Sequence, residues 1–362
     1  MRIEQLTFTR YIAALTVVFF HYGMTVFPAN VPWVNPVLAA GPIAVSYFYV
    51  LSGFIMAIAY YRPEQPQTVF ATRHYWWARM ARIYPVYLLA LLLMIAAKYQ
   101  TVGSEPLTVA LSIGMLQAWI PGYPLTLNAP GWSLSVEAFF YLCFPLLLLL
   151  VKRHRLPRIT LAAGLLWLVT QLTHSILLNA DAYAPHGLLH DFIFYNPLLH
   201  LNTFIMGFIA GAWLQQGSLG RLQQPLINNS GLLLVTVLII VLLITRQTMM
   251  DASGIAFDYT NGLIAPLFLL FIVLLALNTG KISQYLQCKW LVLLGEASFS
   301  LYILQKPLHG IYEKLMPAGI DPHGALHFYV FTVLLTVGAL CSYWFFEAPA
   351  RRWINNFINR AT

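Results

Sequence analysis

Charge is what this sequence has least of. Asp, Glu, Lys and Arg make up 9% of its 362 residues, against roughly 25% in soluble domains. No polar block of even about 40 residues interrupts its apolar runs, which excludes a separate soluble domain. Cysteine is nearly as scarce. Cys143, Cys288 and Cys341 show no CxxC spacing, so neither a disulfide framework nor a zinc or other metal site is expected. Arg10 interrupts the first apolar run and no small-x-small cleavage site follows, so no cleavable signal is expected. No internal repeat of the kind common in transporters is visible. Acidic residues are outnumbered, giving a net charge of +8. The basic residues fall in a few short loops, the distribution of orientation signals rather than of nucleic-acid binding.

What remains is apolar: 59% of the chain is hydrophobic and the mean hydropathy is +0.70. The expected class is all-α, a polytopic transmembrane helical bundle forming a single integral-membrane domain over residues 1–362. Runs of spanning length read as 6–27, 41–60, 83–98, 131–151, 160–178, 195–214, 230–246, 262–278, 291–310 and 325–346. The loops 61–82 (Arg62, Arg73, Arg79, Arg82) and 152–158 (Lys152, Arg153, Arg155, Arg158) are strongly basic and should both be cytoplasmic. An even number of crossings must separate them, so the short run 107–119 should dip in and return through "IPGYPLTLNAPGW". The scheme has about ten spans plus one re-entrant segment, with residues 99–130 on the outer side and both termini cytoplasmic.

Ionisable groups inside such spans are costly and tend to be functional. In "RYIAALTVVFFH", Arg10 and His21 fall on one helical stripe, ~16 Å apart along the axis. That spacing suits an elongated ligand lying along the helix. His21 is either a structural histidine or a general base. Arg10 either snorkels to the inner interface or anchors an anionic group. "RHYWWARMARIYP" puts Arg79 and Arg82 three apart on one face, as positive-inside charge or as a phosphate clamp. In "GWSLSVEAFFY", Glu137 counts to the depth of His21 and needs a partner, for which His21 is the leading candidate. Ser133 or Ser135 could cap that helix. Trp132, with Trp33, Trp119 and Tyr123, belongs to an outer aromatic belt that sugar rings could also stack on.

Taken in order, these pieces resemble acyltransferase family 3, bacterial membrane enzymes that O-acylate surface glycans. The family's first span carries a basic residue, ten intervening positions and a histidine, as Arg10 and His21 do. "SYFYVLSGFIMA", with Ser52, is similar to its second-span signature, "RMARIYP" to its Arg-x-x-Arg motif and "GWSLSVEAFFYLCFP" to its Trp-Ser-Leu-Ser-Val-Glu stretch. "SFSLYILQKPL" and "FFEAPARRW" resemble its late motifs. Two positions depart: Ala138 replaces a second acidic residue, and Gln305 stands where a histidine is frequent.

The resemblance implies acyl transfer in the bacterial inner membrane. The donor would be cytoplasmic acyl-CoA, commonly acetyl-CoA, as co-substrate with no resident cofactor. The acceptor would be a hydroxyl of a surface glycan such as exopolysaccharide or O-antigen. On this reading His21 and Glu137 are catalytic, and Arg10, Arg79 and Arg82 bind acyl-CoA. Ser52, Trp132 and Ser135 are candidates for substrate binding. The partners implied are acyl-CoA, the glycan, the lipid bilayer and glycan-assembly proteins. A transporter or flippase of a glycan or anionic substrate is the alternative class, and an assembly subunit a third. An acyltransferase binds acyl-CoA and releases CoA, whereas the other two do neither.

Overall fold

The computed structural model describes residues 3–64, 70–98, 105–317 and 321–361, and no strand occurs among them. The chain enters as α1 (Thr7–Tyr22), a short α2 (Asn35–Ala39), α3 (Ile43–Tyr60) and α4 (Thr72–Ala97). There follow α5 (Pro106–Ile113), α6 (Trp132–Arg153), α7 (Leu156–Leu178), α8 (Leu188–Tyr195) and α9 (Pro197–Gln215). The last third holds α10 (Pro225–Ser253), α11 (Ala265–Leu277), α12 (Lys281–Leu286), α13 (Lys289–Leu315), α14 (Ala325–Ser342) and α15 (Ala348–Ala361). Among the described residues, seven helical stretches are long and apolar enough to cross a membrane. They are α3, α4, α6 with its leading turn, α7, the α8–α9 run, α10, and α14 continuing into α15. The protein is therefore a multi-pass membrane protein. Of the three other expected spans, α1 has 16 residues, α11 has 13, and α13 carries Glu296 and Lys306 within its apolar run.

Two expected boundaries shift, each for a local reason. Helix α1 ends at Tyr22, where Gly23 donates its N–H to the Phe19 carbonyl, although apolar residues continue to Phe27. Helix α4 begins at Thr72, so Arg79 and Arg82 lie within a helix and not in a loop. Residues 107–119 form no span: α5 is eight residues long, a rise of ~12 Å, and the chain then turns through residues 114–131. Residues 99–104, part of the outer segment expected at 99–130, lie outside the described residues.

The bundle is held at its centre by close backbone approaches. A Cβ at Gly53 would strike the Phe204 carbonyl, and one at Gly207 the Val50 carbonyl, so α3 and α9 pack backbone to backbone. Small residues provide this in membranes, where lipid removes most of the hydrophobic drive between helices. Gly295 does the same against Thr7, seating α13 on α1. These two helices run parallel, and Tyr22 stacks on His309 at 4.1 Å near their far ends. By contrast only 17% of the apolar window of α10 is buried, which leaves the rest to face lipid.

Candidate active site

Helices α1, α3, α4, α6 and α13 enclose a cavity of about 330 Å³. Along α3 its lining runs from Val45 to Ala59, a helical rise of ~21 Å. Phe48, Leu51, Ile55, Met56, Leu134 and Phe299 give it apolar walls. Its charge comes from Arg10 on α1, Arg79 and Arg82 on α4, Glu137 on α6 and Glu296 on α13. Arg10, Arg79, Arg82, Glu137 and Ser52, named from separate motifs, are thus brought to one place.

Glu137 accepts from the Tyr141 hydroxyl at 2.5 Å and from Ser52 Oγ at 3.3 Å, both on Oε1. Tyr141 lies one turn further along the same helix, where an i+4 side chain faces its partner. The His21–Glu137 pair expected from matching depths does not form among the described residues. Because α1 stops at Tyr22, His21 sits at the helix end, while Glu137 lies five residues inside α6.

A π-helical turn, Tyr343–Glu347, joins α14 to α15; such turns are frequent at functional sites. It buries Glu347 beside the cavity, where Ser300 Oγ donates to Oε2 at 2.8 Å. Tyr343 donates to Glu296 Oε2 at 3.0 Å. The guanidiniums are engaged differently. Arg79 lies over the Tyr60 ring, 5.7 Å from its centroid, and Nη2 donates to the Tyr60 hydroxyl at 3.4 Å. Its Nε is buried without a hydrogen-bond partner among the described residues. Arg10 and Arg82 interact electrostatically with each other and with Glu137, Glu296 and Glu347. Neither makes a hydrogen bond or an ion pair within 4.0 Å among the described residues.

At the other end of the cavity, Tyr302 donates to Ser133 Oγ at 2.9 Å and Tyr49 to the Ser133 carbonyl at 3.2 Å. Phe48 meets the Tyr302 ring edge to face at 6.0 Å. On α1 the lining stops at Arg10, and His21 is not part of it. The continuous track expected along α1 is interrupted because Ala14, Val17 and Val18 are buried with Ala297 and Leu301 of α13. His21 lies exposed beyond that seam, against the Phe20 and Tyr22 rings, within electrostatic reach of Lys306. Trp132 and Ser135 do not line the cavity either. Trp132 is buried against Tyr195 and His200, and Ser135 is fully buried, since both point into the bundle.

Sequence reasoning missed Tyr141, Glu296, Glu347 and Tyr302. The first had a signal in its four-residue spacing from Glu137, and Glu296 is the sole acid in the apolar run 291–310. No group of three or more metal-ligating side chains is found among the described residues.

The chain matches the family described as "Acyltransferase domain" over residues 3–347. It is similar to Acyltransferase MdmB of Streptomyces mycarofaciens, 28% identical over 321 residues, covering 84% of this chain and 78% of that protein. It is also similar to O-acetyltransferase OatA of Staphylococcus aureus, 21% identical over 97% of this chain and 59% of that protein. The chain thus spans under two thirds of the length of OatA. No solved structure matches it.

Proposed function

From the premise that this chain belongs to the acyltransferase domain family, the acyltransferase family 3 of its motifs, we propose that it moves an acyl group from cytoplasmic acyl-CoA to a hydroxyl of an exported or lipid-linked surface glycan. That it is a membrane acyltransferase follows from the family; donor, acceptor and residue roles are our reading. The acyl group is acetyl, in keeping with the name of OatA. The protein sits in the bacterial inner membrane with ten spans and cytoplasmic termini, which puts the start of α1, the end of α3 and the start of α4 on the inner side.

One observation carries the reading: a long cavity with apolar walls in which Arg10, Arg79 and Arg82 converge and, among the described residues, none is paired directly with a carboxylate. Guanidinium forks suit phosphate oxygens, and apolar walls suit the arm that carries a thioester. Arg79 and Arg82 take phosphates of the donor, and Arg10 meets a carbonyl or a further anionic group. Ser52 acts through Glu137 and lines the path of the arm. His21, at the outer end of α1, takes the proton from the acceptor hydroxyl. The oxygen attacks the thioester carbonyl, the C–S bond breaks, and the proton passes to the thiolate to give free CoA. A relay through an acyl-histidine balances equally, with C–N formation preceding C–O formation. In either route the thioester passes Phe48 and Tyr302 to reach His21.

The test uses purified protein in nanodiscs with acetyl-CoA and glycan from the producing strain. Acetyl-CoA should bind, and free thiol should appear when acceptor is added. Absence of both binding and thiol release would overturn the reading and favour a transporter.

A further inference from the structure

Three guanidiniums in a membrane protein need negative charge nearby, since uncompensated charge in such a setting is expensive. Direct pairing would supply it but would also occupy the forks that a phosphate needs. Here the two requirements are met separately. Glu137, Glu296 and Glu347 are within electrostatic range of Arg10 and Arg82, yet each accepts a hydrogen bond from a hydroxyl: Tyr141 and Ser52, Tyr343, and Ser300 respectively.

Glu137 and Glu296 both line the cavity, and Glu137 takes two hydroxyls, from Tyr141 and Ser52, on the one oxygen Oε1. Tyr141 is fixed because its own ring is buried, near Tyr75 of α4, within the core that α3, α4, α6 and α9 share. Tyr141 also lies within electrostatic range of Arg79 and Arg82, and it lines the same cavity as they and Glu137 do. Carboxylate–guanidinium bonds are about twice as strong as neutral ones and are frequently bidentate. A Glu137 released from its hydroxyls would therefore turn to the nearest arginine.

We infer that Tyr141 is a positioning residue that latches Glu137 away from Arg82 and Arg79, so that Glu137 balances their charge at a distance while their forks stay open to the phosphates of the donor. The inference rests on the donor reading above. It adds the means by which the site avoids neutralising itself.

The experiment is calorimetric titration of coenzyme A into the full chain in nanodiscs, for wild type, Tyr141→Phe, Glu137→Gln and the double variant. Tyr141→Phe should weaken binding by about tenfold or more, equivalent to about 1.4 kcal/mol. Adding Glu137→Gln should restore it to within about threefold of wild type, because the released carboxylate no longer exists to cap the arginine. Glu137→Gln alone should bind at least as tightly as wild type. Unchanged binding in Tyr141→Phe would overturn the inference, as would a loss that Glu137→Gln does not rescue, which marks a merely structural ring. If Tyr141→Phe does not purify as a monodisperse protein, Ser52→Ala reads the same latch from the α3 side, with a smaller loss and the same rescue; no loss there would likewise overturn it. Failure of wild type to bind coenzyme A would instead overturn the donor reading itself.

Discussion

The two ends of α1 are built differently. At Arg10 the helix joins a cavity lined by four other helices, in and beside which each carboxylate is held by a hydroxyl. At His21 it presents an exposed imidazole with no hydrogen-bond partner among the described residues and only ring contacts to Phe20 and Tyr22. On the proposed reading, the Arg10 end is the inner one and is pre-organised for a ligand recognised by charge and held. On the same reading, the His21 end is the outer one and is left open for a group that arrives, exchanges a proton and leaves. A site split this way separates donor recognition from transfer, and substitutions at the two ends should fail in different ways.

The largest effect is expected at the outer end. His21→Ala should reduce acyl transfer by about 10²–10⁴-fold, the usual worth of a positioned general base, or abolish it if the acyl group passes through the histidine. Transfer from radiolabelled acetyl-CoA to glycan in membrane vesicles measures this, and transfer at the wild-type rate with normal protein levels would remove His21 from the chemistry. Next is the frame that both ends share. Gly207→Leu puts a side chain into the Val50 carbonyl and should destabilise the α3–α9 seam by about 1–3 kcal/mol or more. Thermal unfolding followed by size-exclusion chromatography reads this as lost monodisperse protein. The smallest effect belongs to Arg10→Lys. It keeps the charge and gives up the fork, so the acetyl-CoA dissociation constant should rise by less than about tenfold. A larger loss than at Arg82 would make Arg10 the principal phosphate ligand.

Much of this arrangement was legible in the sequence, and the exceptions have physical causes. Hydropathy located the long helices because lipid-facing surfaces such as that of α10 are apolar over many turns. It misplaced the end of α1, since hydropathy continues through Val26 and Phe27 while Gly23 ends the helix. That error of a few residues created the apparent shared depth of His21 and Glu137. Positive charge marked 72–82 as a loop, although nothing in "TRHYWWARMAR" opposes a helix. The cavity residues Arg10, Arg79, Arg82, Glu137 and Ser52 were visible as motif members, but their convergence depends on which helices are neighbours, which spacing does not encode. Glu347 was visible as the acid of "FFEAPARRW", but its place beside the cavity was the hardest to foresee, because it sits in a π-helical turn that no local pattern announces. Trp132 and Ser135 lie off the cavity for a related reason: Trp132 is buried against Tyr195 and His200, neighbours that spacing does not encode, and Ser135 is fully buried on the same helix.

The division between the two ends of α1 is tested most directly by one titration, acetyl-CoA into nanodisc-embedded His21→Ala and Arg82→Lys beside wild type. His21→Ala should bind the donor as wild type does, and Arg82→Lys should bind it about tenfold to a hundredfold more weakly, the worth of one charge-assisted contact. The opposite pattern, with binding lost in His21→Ala and retained in Arg82→Lys, would contradict the account and move donor recognition to the outer end of the helix.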